Sequence, residues 1–462
     1  MKRIFNIISL LALLLGISSC NGFLDVNTDP TRVSEDDVTL AALLPTVIER
    51  SFAAQYSSAV SASRATHQLD AIQGGYYTEF QMSGAWSTIY LRVLPNIATV
   101  IKKANAEGSI HYVGVAEVLK ALNVGLLTDC WENAPYSEAL KGSLSVTPAY
   151  DSQESLYAEI ISLLDQAITD LSAEESFRTP GKDDLIYGGN MEQWIKLAHS
   201  LKARYMLHLL KKNNNGADIL NEVAAGMESN DDNFMLVYSG LISNPWYSSV
   251  AKKIGESIFT YTYGGHLIKT MNGEFHGILD PRLPLIADKD TSANYVGLES
   301  YDQDAPGYTV LPTENTFYFA PDAPLVVMSY SELKFIQAEV MMAGGGDATA
   351  AYMEGITANM DMLGVDPGDR DNYLADPAVS SVNLANIMKE KYIALLLNTE
   401  VWNDMRRYNF DSNIFKGFII PDFEGRDKPG QRARYPESEK TRNKDNFELN
   451  VKDFTEPMWK DK

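Results

Sequence analysis

The chain has 462 residues, of which 45% are hydrophobic and 22% charged, a composition typical of a globular protein with a large core. Its formal net charge of -22 repels phosphate backbones and anionic lipid head groups, which excludes nucleic-acid binding and adhesion to a membrane through a basic patch. The only cysteines are Cys20 and Cys130, so no disulfide framework is expected.

The first twenty residues have the pattern of a secretory signal. Lys2 and Arg3 precede an apolar run over 4–17, and small residues follow up to Cys20. The run is too short to span a bilayer, which argues against an uncleaved anchor. We therefore predict a lipoprotein signal peptide over 1–19 and a lipid on Cys20, because two or three acyl chains hold a protein on a membrane.

Residues 20–35 are polar and rich in turn-forming residues, as expected of a lipidated tether. Beyond them, apolar residues recur at three- and four-residue spacing, which is the period of a helix. The predicted helical stretches are 39–52, 85–106, 112–131, 152–171, 191–210, 330–342, 349–363, 384–397 and 402–408. Most of them form neighbouring pairs, which is typical of tetratricopeptide-like packing. We therefore predict a mainly α-helical superhelix of helix pairs, forming one body over 36–462.

Three segments interrupt the helical pattern, and all are rich in Tyr, Trp, Gly, Pro and Asn. They are 74–84, 233–263 and 280–324. The irregular insert is thus expected over about 233–324, and the charged, Pro- and Gly-punctuated end over about 419–462 is predicted to be an extended surface wrap. Long loops on a helical scaffold usually carry binding residues, so we expect a ligand site there.

The helical stretch before Trp131 contains Cys130, which no histidine neighbours in sequence. We interpret this cysteine as a buried apolar residue without a reactive role. No segment after the signal is expected to be long and apolar enough to span a bilayer.

Aromatic side chains beside Gly, Pro and amide residues are candidates for gripping a glycan, because a ring covers the apolar face of a sugar. The candidates are Tyr76, Tyr77, Trp86, Trp246 and Tyr247. The alternative is that these rings are core anchors. It is the favoured interpretation for Trp86, which lies four residues before Tyr90 on a helix, whereas the two interpretations are even for the loop residues. Further tyrosines in the irregular segments are Tyr261, Tyr263, Tyr295, Tyr301 and Tyr308.

One stretch has the ligand spacing of a calcium-binding loop. Positions 1, 3, 5, 7 and 12 of such a loop are occupied by Asp288, Asp290, Ser292, Asn294 and Glu299. The required glycine is replaced by Ala293, and no helix is predicted on either side. We therefore expect a solvated acidic loop and predict neither a metal nor a cofactor.

Motifs of the common enzyme classes are absent from the sequence. It contains no HExxH, no GxSxG and no phosphate-binding loop. Of the six histidines, His199 and His208 lie nine residues apart on roughly opposite helix faces, a poor arrangement for a metal. No carboxylate pair is singled out for glycoside hydrolysis. We expect a binding protein, with a cell-surface glycoside hydrolase as the alternative; a solute receptor of an ABC importer would need two α/β lobes, which the helical pattern does not favour.

Seven short motifs occur in a particular order along the chain. They are FLDVNTDP at 23–30, DCWENAPYSEA at 129–139, DPRL at 280–283, SELKFIQAE at 331–339, EKYIAL at 390–395, EVWNDMRR at 400–407, and RYPESE at 434–439 followed by Asn443. Together they resemble the SusD/RagB family of outer-membrane lipoproteins, and more closely its SusD-like second branch. The resemblance covers essentially the whole chain after the signal.

This resemblance implies a right-handed superhelix of four tetratricopeptide-like helix pairs with a loop-rich ligand-binding remainder. It implies a lipid-anchored position on the outer membrane of a Bacteroidetes-type cell, facing the exterior. It also implies a partner, a SusC-like TonB-dependent barrel, to which the lipoprotein hands an oligosaccharide or a peptide. One departure is that Asn21-Gly22-Phe23-Leu24 follow the lipid cysteine, where acidic residues often accompany surface export in that group.

The shared motifs are predicted to be structural. Asp280-Pro281-Arg282 is a turn whose arginine can pair with a carboxylate. Trp402 is expected to pack between helices, with Arg406 and Arg407 reaching the acidic loops. Glu339 is expected at a helix–helix contact.

Overall fold

Long helices that pack in neighbouring pairs make up most of the molecule. The computed structural model describes residues 38–72, 82–141, 145–239, 242–256, 261–289, 292–299, 316–420 and 428–462. In the first half, the helices are α1 (Leu40–Ala65), α2 (Ser83–Thr88), α3 (Leu94–Glu107), α4 (Ile110–Trp131), α5 (Gln153–Leu171), α6 (Met191–His208), α7 (Leu210–Asn213) and α8 (Gly216–Ala224).

The second half has shorter helices around one long antiparallel pair. They are α9 (Lys252–Gly255), α10 (Gly265–Met271), α11 (Leu283–Ile286), α12 (Tyr330–Ala343), α13 (Thr349–Leu363), α14 (Pro367–Ala375), α15 (Pro377–Ser380), α16 (Leu384–Ala394), α17 (Glu400–Arg407), α18 (Glu437–Arg442) and α19 (Lys444–Asn450). Single π turns occur at Ile89–Val93, which joins α2 to α3, and at Tyr247–Ala251.

The helix starts are chemically marked. Side chains of Thr39, Ser152, Asn190 and Ser329 each accept a hydrogen bond from a backbone amide in the first turn of α1, α5, α6 and α12. Such caps satisfy amides that have no partner within the helix. The sequence therefore places these four helix starts to within a residue or two of where they lie.

Consecutive helices pack side by side, with α3 against α4, α4 against α5, α5 against α6, and α12 against α13. Glycines allow some of these close approaches. A Cβ atom at Gly114 of α4 would overlap the side chain of Leu171, and one at Gly125 would overlap the ring of Tyr205 on α6. The prediction of a mainly α fold built from helix pairs is confirmed.

Helix α4 is the apolar centre of the first half. Its 22 residues are long and apolar enough to cross a membrane, and 89% of its most apolar window is buried within the protein. The expectation that no segment after the signal meets this length and composition is therefore wrong. Burial on nearly all sides explains the composition, because a helix surrounded by others is apolar all round. Cys130 is fully buried in it, as predicted.

The described strands form three short antiparallel pairs. β1 (Leu69–Ala71) pairs with β5 (Tyr261–Tyr263), β2 (Ala134–Pro135) with β3 (Tyr150–Asp151), and β4 (Phe234–Val237) with β6 (Pro324–Met328). The segment 233–263, expected to be irregular, thus contains two strands, a π turn and α9. Each strand is too short to show the alternation that sequence reasoning depends on.

The C-terminal segment lies across the end of α4. The amide of Ala433 donates to the Cys130 carbonyl at 2.7 Å, and the Trp131 indole donates to the Arg434 carbonyl at 3.0 Å. The chain then forms α18 and α19 and ends in a single 3-10 turn, Trp459–Asp461.

Candidate functional site

A partly exposed stripe on α1 carries an aromatic ring and a cation. Tyr56, Val60 and Arg64 are spaced by four residues, so they lie on one face of the helix, and all three are half-buried. The opposite face contributes residues such as Ala62 to the core, and Phe52, one turn before Tyr56, is buried at the start of the stripe. Amphipathic spacing therefore leaves this stripe at the surface.

The first turn of the segment 244–251 packs against Tyr56. The Tyr56 hydroxyl hydrogen-bonds the Ser249 hydroxyl at 2.5 Å, and its ring meets the Trp246 ring edge-on at a centroid distance of 4.8 Å. Burial raises the pKa of Tyr56, so the phenol stays neutral at physiological pH. Tyr247 follows directly and is half-buried.

Asn244 holds this turn in place. Its side-chain oxygen accepts a hydrogen bond from the Trp246 backbone amide at 2.7 Å. Its backbone amide donates to the Pro321 carbonyl, and its side-chain amide donates to the Ala323 carbonyl. Asn244 is completely buried, and an Asx turn of this kind fixes the chain direction without a helix or strand. The position of Tyr247 is thus determined by a buried amide.

The β1–β5 pair brings a third tyrosine to this part of the surface. Tyr261 opens β5 opposite Ala71, the last residue of β1. The Arg64 guanidinium lies 5.7 Å from the centre of the Tyr261 ring. We call Tyr56, Arg64, Tyr247 and Tyr261 the aromatic ridge. Its rings and its guanidinium donors are the groups that match the apolar face and the hydroxyls of a sugar.

The described residues on either side of 73–81 lie near the aromatic ridge. The chain leaves β1 beside Tyr261, and α2 begins in close contact with α1, since a Cβ atom at Gly84 would overlap the Ser57 side chain. Ser57 and Arg64 are seven residues apart on α1, which corresponds to about 10 Å along the helix. The candidates Tyr76 and Tyr77 lie outside the described residues.

The two candidate tryptophans are core residues. Trp86 is 5% exposed and packs against Trp131 at 5.0 Å and against Tyr90 at 4.8 Å, while Trp246 is 1% exposed. Both rings are therefore hydrophobic anchors of the core, which is the alternative given in the sequence analysis. Of the candidate residues, Tyr247 is the one that the described part of the chain leaves partly open at the surface.

Of the remaining tyrosines, the two that the structure describes are not part of the ridge. Tyr263 is fully buried, Tyr295 is half-buried beside Lys289, and Tyr301 and Tyr308 lie outside the described residues. The calcium-like loop is described only in part, because Asp290 falls outside. Its last position, Glu299, has an oxygen 2.6 Å from the Lys269 ammonium, so this carboxylate is already paired with a cation.

The motif arginines hold the second half together from inside. Arg282 is fully buried and donates to Asp280 at 2.6 Å, to Glu390 at 2.5 Å and to the Asn359 oxygen at 2.9 Å. Arg407 pairs with Glu339 and Asp404, while Arg406 donates to the backbone carbonyls of Asp129 and Gln431. The expectation that Arg406 and Arg407 reach acidic loops is therefore wrong. The fully buried Trp402 and the buried Glu339 lie between helices as expected.

A second polar cluster was not foreseen from the sequence. His208 lies between two carboxylates, with Nδ1 3.5 Å from Asp129 and Nε2 2.5 Å from Glu400. Their ligand atoms lie within 4.8 Å of one another, which by distance alone would suit a metal. However, the Tyr157 hydroxyl bonds both Asp129 and His208, and Arg204 lies 4.0 Å from Glu400. These protein donors and the nearby cation make the cluster an ionic support of the core.

The sequence comparison identifies the family. A model for a family described as starch-binding and associated with the outer membrane, the SusD-like second family, matches residues 35–436. The chain belongs to this SusD-like family. The resemblance deduced from the seven motifs is therefore confirmed. No curated protein matches this SusD-like chain.

Solved structures share the fold of this SusD-like protein. A SusD/RagB family protein from Bacteroides thetaiotaomicron is 23% identical, with a TM-score of 0.73 over 92% of this chain and 99% of its own. A SusD homolog from Bacteroides uniformis has 19% identity and a TM-score of 0.76 over 92% and 99%. A chitin-binding SusD homolog from Flavobacterium johnsoniae has 21% identity and a TM-score of 0.74 over 91% and 98%. At these identities, the likeness shows the fold.

Proposed function

We propose that this protein is a lipid-anchored receptor at the cell surface that captures an oligosaccharide, or alternatively a peptide, without chemical conversion. It then hands the ligand to a SusC-like TonB-dependent barrel. The observation that supports this most is the family match across nearly the whole chain, whose description names starch binding and the outer membrane. The chitin-binding SusD homolog of the same fold supports a glycan as the first ligand class to test.

Within the described residues, the aromatic ridge is the surface that we propose contacts the ligand. Its tyrosine rings would cover the apolar face of a sugar, and Arg64 would donate to sugar hydroxyls. Tyr76 and Tyr77 are proposed as further contacts, because the described residues before and after their segment lie near the ridge. The proposed organisation is a signal peptide over 1–19, a lipid on Cys20, a tether to residue 35 and one helical body over 36–462.

Binding is tested by affinity electrophoresis of the mature protein in gels containing soluble starch or glycol chitin. We expect retardation by at least one of the polymers, and a marked loss of it in the double variant Tyr247→Ala/Tyr261→Ala. The matched control is Phe177→Ala, which removes an exposed ring beside Gly108, the residue that follows α3. Retardation that is unchanged in the ridge variant would remove the ridge from the proposal.

Absence of catalysis is tested by incubating the protein with the same polymers and measuring newly formed reducing ends. We expect none above the buffer value. Release that disappears on substitution of one carboxylate would instead establish the glycoside hydrolase alternative.

The hand-off is tested by purifying the tagged lipoprotein from its own outer membrane, where a stoichiometric TonB-dependent barrel is the expected companion.

A further inference from the structure

Residues 411–420, which we call the strap, close one end of the β1–β5 pair. Phe418 of the strap packs against the rings of His67, which precedes β1, and of His266, which follows β5, at 5.3 and 5.2 Å. Lys416 donates to the Phe275 carbonyl at 2.5 Å. Gly417 has a φ of 76°, and a Cβ atom there would overlap the Phe275 ring. The strap is therefore fitted closely to its seat.

His266 lies at the centre of this seat. It is 8% exposed and enclosed by Phe418, Tyr392 and Phe275, with ring centroids 5.2, 5.2 and 5.9 Å away. The imidazole hydrogen-bonds to the backbone of Gly417, and within the described residues its Nδ1 atom has no hydrogen-bond partner. Burial, followed by the neighbouring imidazoles of His67 and His276, lowers the pKa of His266 to about 3.

His276 lies beside the same seat. A small cavity is lined by both histidines together with Lys389 of α16 and Lys416 of the strap. Burial and then these two lysines lower the pKa of His276 to about 4. Two imidazoles and two ammonium groups thus face one another across the contact between the strap and the body.

The carboxylates nearest to this cluster are engaged elsewhere. Asp70 lies 3.5 Å from His67, Glu390 is paired with Arg282 at 2.5 Å and with Lys389 at 2.8 Å, and Lys269 of α10 is paired with Glu299 and Glu274. Among the described residues, neither His266 nor His276 has a carboxylate within 4.0 Å. Glu390 is the carboxylate that opposes the lysines at His276, and it is already paired with Arg282 and Lys389, so a proton on either ring would meet mainly cations and aromatic rings.

We propose that the strap is an acid-sensitive clasp, which detaches from the end of the β1–β5 pair when His266 and His276 take up protons. Detachment exposes both rings to water, where an imidazolium is well solvated, and it moves Lys416 away from Lys389. The clasp is independent of which ligand the protein binds, so its test stands apart from that of the proposed function.

The direction of the effect follows from proton linkage. A solvated imidazole titrates near pH 6.5, whereas in the closed strap the pKa values of His266 and His276 are about 3 and about 4. The closed state is fully favoured above about pH 6.5 and loses its advantage as the pH falls below that value. Each histidine raises the ratio of open to closed strap up to tenfold per pH unit, so the pair raises it up to about a hundredfold per unit down to about pH 4.

Hydrogen exchange measured by mass spectrometry between pH 7.5 and 5.0 tests the clasp. Protection factors, corrected for the intrinsic exchange rate at each pH, are compared for peptides covering 411–420 and for peptides of α4. We expect protection of the strap to fall steeply below pH 6.5 while that of α4 is retained. Glycine at 417 offers a reference for the open state, because Gly417→Ala should unseat the strap at every pH.

The histidines are assigned by substitution. His266→Gln keeps a side chain that can hydrogen-bond the Gly417 backbone but cannot be protonated, and His276→Gln likewise removes the titrating group at the second position. Each substitution should leave one titrating histidine. The ratio of open to closed strap should then rise up to about tenfold per pH unit instead of about a hundredfold. His111→Gln is the matched control, because His111 bonds Thr179 and Ala173 far along the chain from the strap. Strap protection that is independent of pH, that falls together with that of α4, or that falls equally steeply in the double variant His266→Gln/His276→Gln would overturn the clasp.

Discussion

Arg407 and Glu339 form a two-point ion pair between α17 and α12, with nitrogen–oxygen distances of 2.6 and 3.0 Å and both side chains buried. Lys391 of α16 lies 3.6 Å from the same carboxylate. One carboxylate therefore ties together three helices of the second half. Burial alone would raise the pKa of Glu339, but Arg407 and Lys391 lower it to about 2, so the carboxylate stays charged.

Glu339→Gln should strongly destabilise the fold. The substitution keeps the shape of the side chain but leaves Arg407 and Lys391 buried with one fewer negative charge. Breaking a buried pair from one side costs about 3–5 kcal/mol. Urea unfolding followed by circular dichroism measures the loss. The control is Glu448→Gln, which breaks the exposed pair with Lys444 and should change the free energy of unfolding by less than about 1 kcal/mol. Equal effects of the two variants would contradict the assignment.

Stability should fall at alkaline pH because of His208. Burial alone would lower the pKa of His208, but Glu400 and Asp129 raise it above its usual value. The folded state therefore binds this proton more tightly than the unfolded chain does. Its contribution is fully present below about pH 6.5 and is lost, at up to about 1.4 kcal/mol per pH unit, as the pH rises through the folded pKa.

The measurement for His208 is the free energy of unfolding in urea from pH 6 to 9. His208→Gln should flatten this alkaline decline, whereas His111→Gln should leave it unchanged. An alkaline decline of the same size in the His208 variant would show that another group carries it. The His208 contribution to stability is lost as the pH rises, whereas the strap opens as the pH falls below about 6.5. The two effects can therefore be measured in different pH ranges.

The adjacent residues Trp246 and Tyr247 should have different roles, the first in stability and the second in glycan binding. Trp246→Ala removes a ring that is 1% exposed and should cost about 3–5 kcal/mol of stability. Tyr247→Ala removes a half-buried ring and should weaken glycan binding several-fold, since an aromatic contact contributes about 0.5–1.5 kcal/mol. Thermal melting and affinity electrophoresis of both variants separate the roles; a folded Trp246 variant with lost binding and unchanged melting would reverse them.

Cys20→Ala should release the protein from the membrane. The thiol is the proposed lipid attachment point, and a chain without acyl groups keeps only a strongly acidic surface that anionic lipid repels. Fractionation of cells into soluble and membrane material measures the change. Cys130→Ala is the matched control, because Cys130 is fully buried in α4. Retention of the Cys20 variant in the membrane, with no barrel present, would exclude lipid as the anchor.

Helix prediction succeeded where apolar periodicity and caps coincide, and it failed where other contacts hold a helix. α1 was predicted to end at residue 52 but continues to Ala65. Its second half, AAQYSSAVSASRA, consists of small and polar residues without a clear apolar stripe. It is held by tertiary contacts, such as the hydrogen bond of 2.7 Å between Ser58 and Thr399. Thr399 lies more than three hundred residues further along the chain, so no local pattern around Ser58 could reveal this contact.

Site prediction was limited in the same way. Trp246 and Tyr247 are adjacent and equally suited by type to a ligand, yet Asn244 turns the first into the core and leaves the second at the surface. His208 carries no local signal of a charge cluster, because Asp129 and Glu400 come from α4 and α17. The expected role of Arg406 failed because carbonyl groups, which every residue has, are its partners.

The family, the helical class and the starts of several long helices could be read from the sequence alone, because ordered motifs, apolar period and capping residues are local properties of the chain. The sequence also specified which side chains could carry charge or an aromatic face. Which of those side chains meet depends on the folded chain. The ion pairs of Glu339, the enclosure of His266 and the alignment of Tyr56, Arg64 and Tyr261 all join segments that are distant in sequence, and burial decides whether each group faces water or the core.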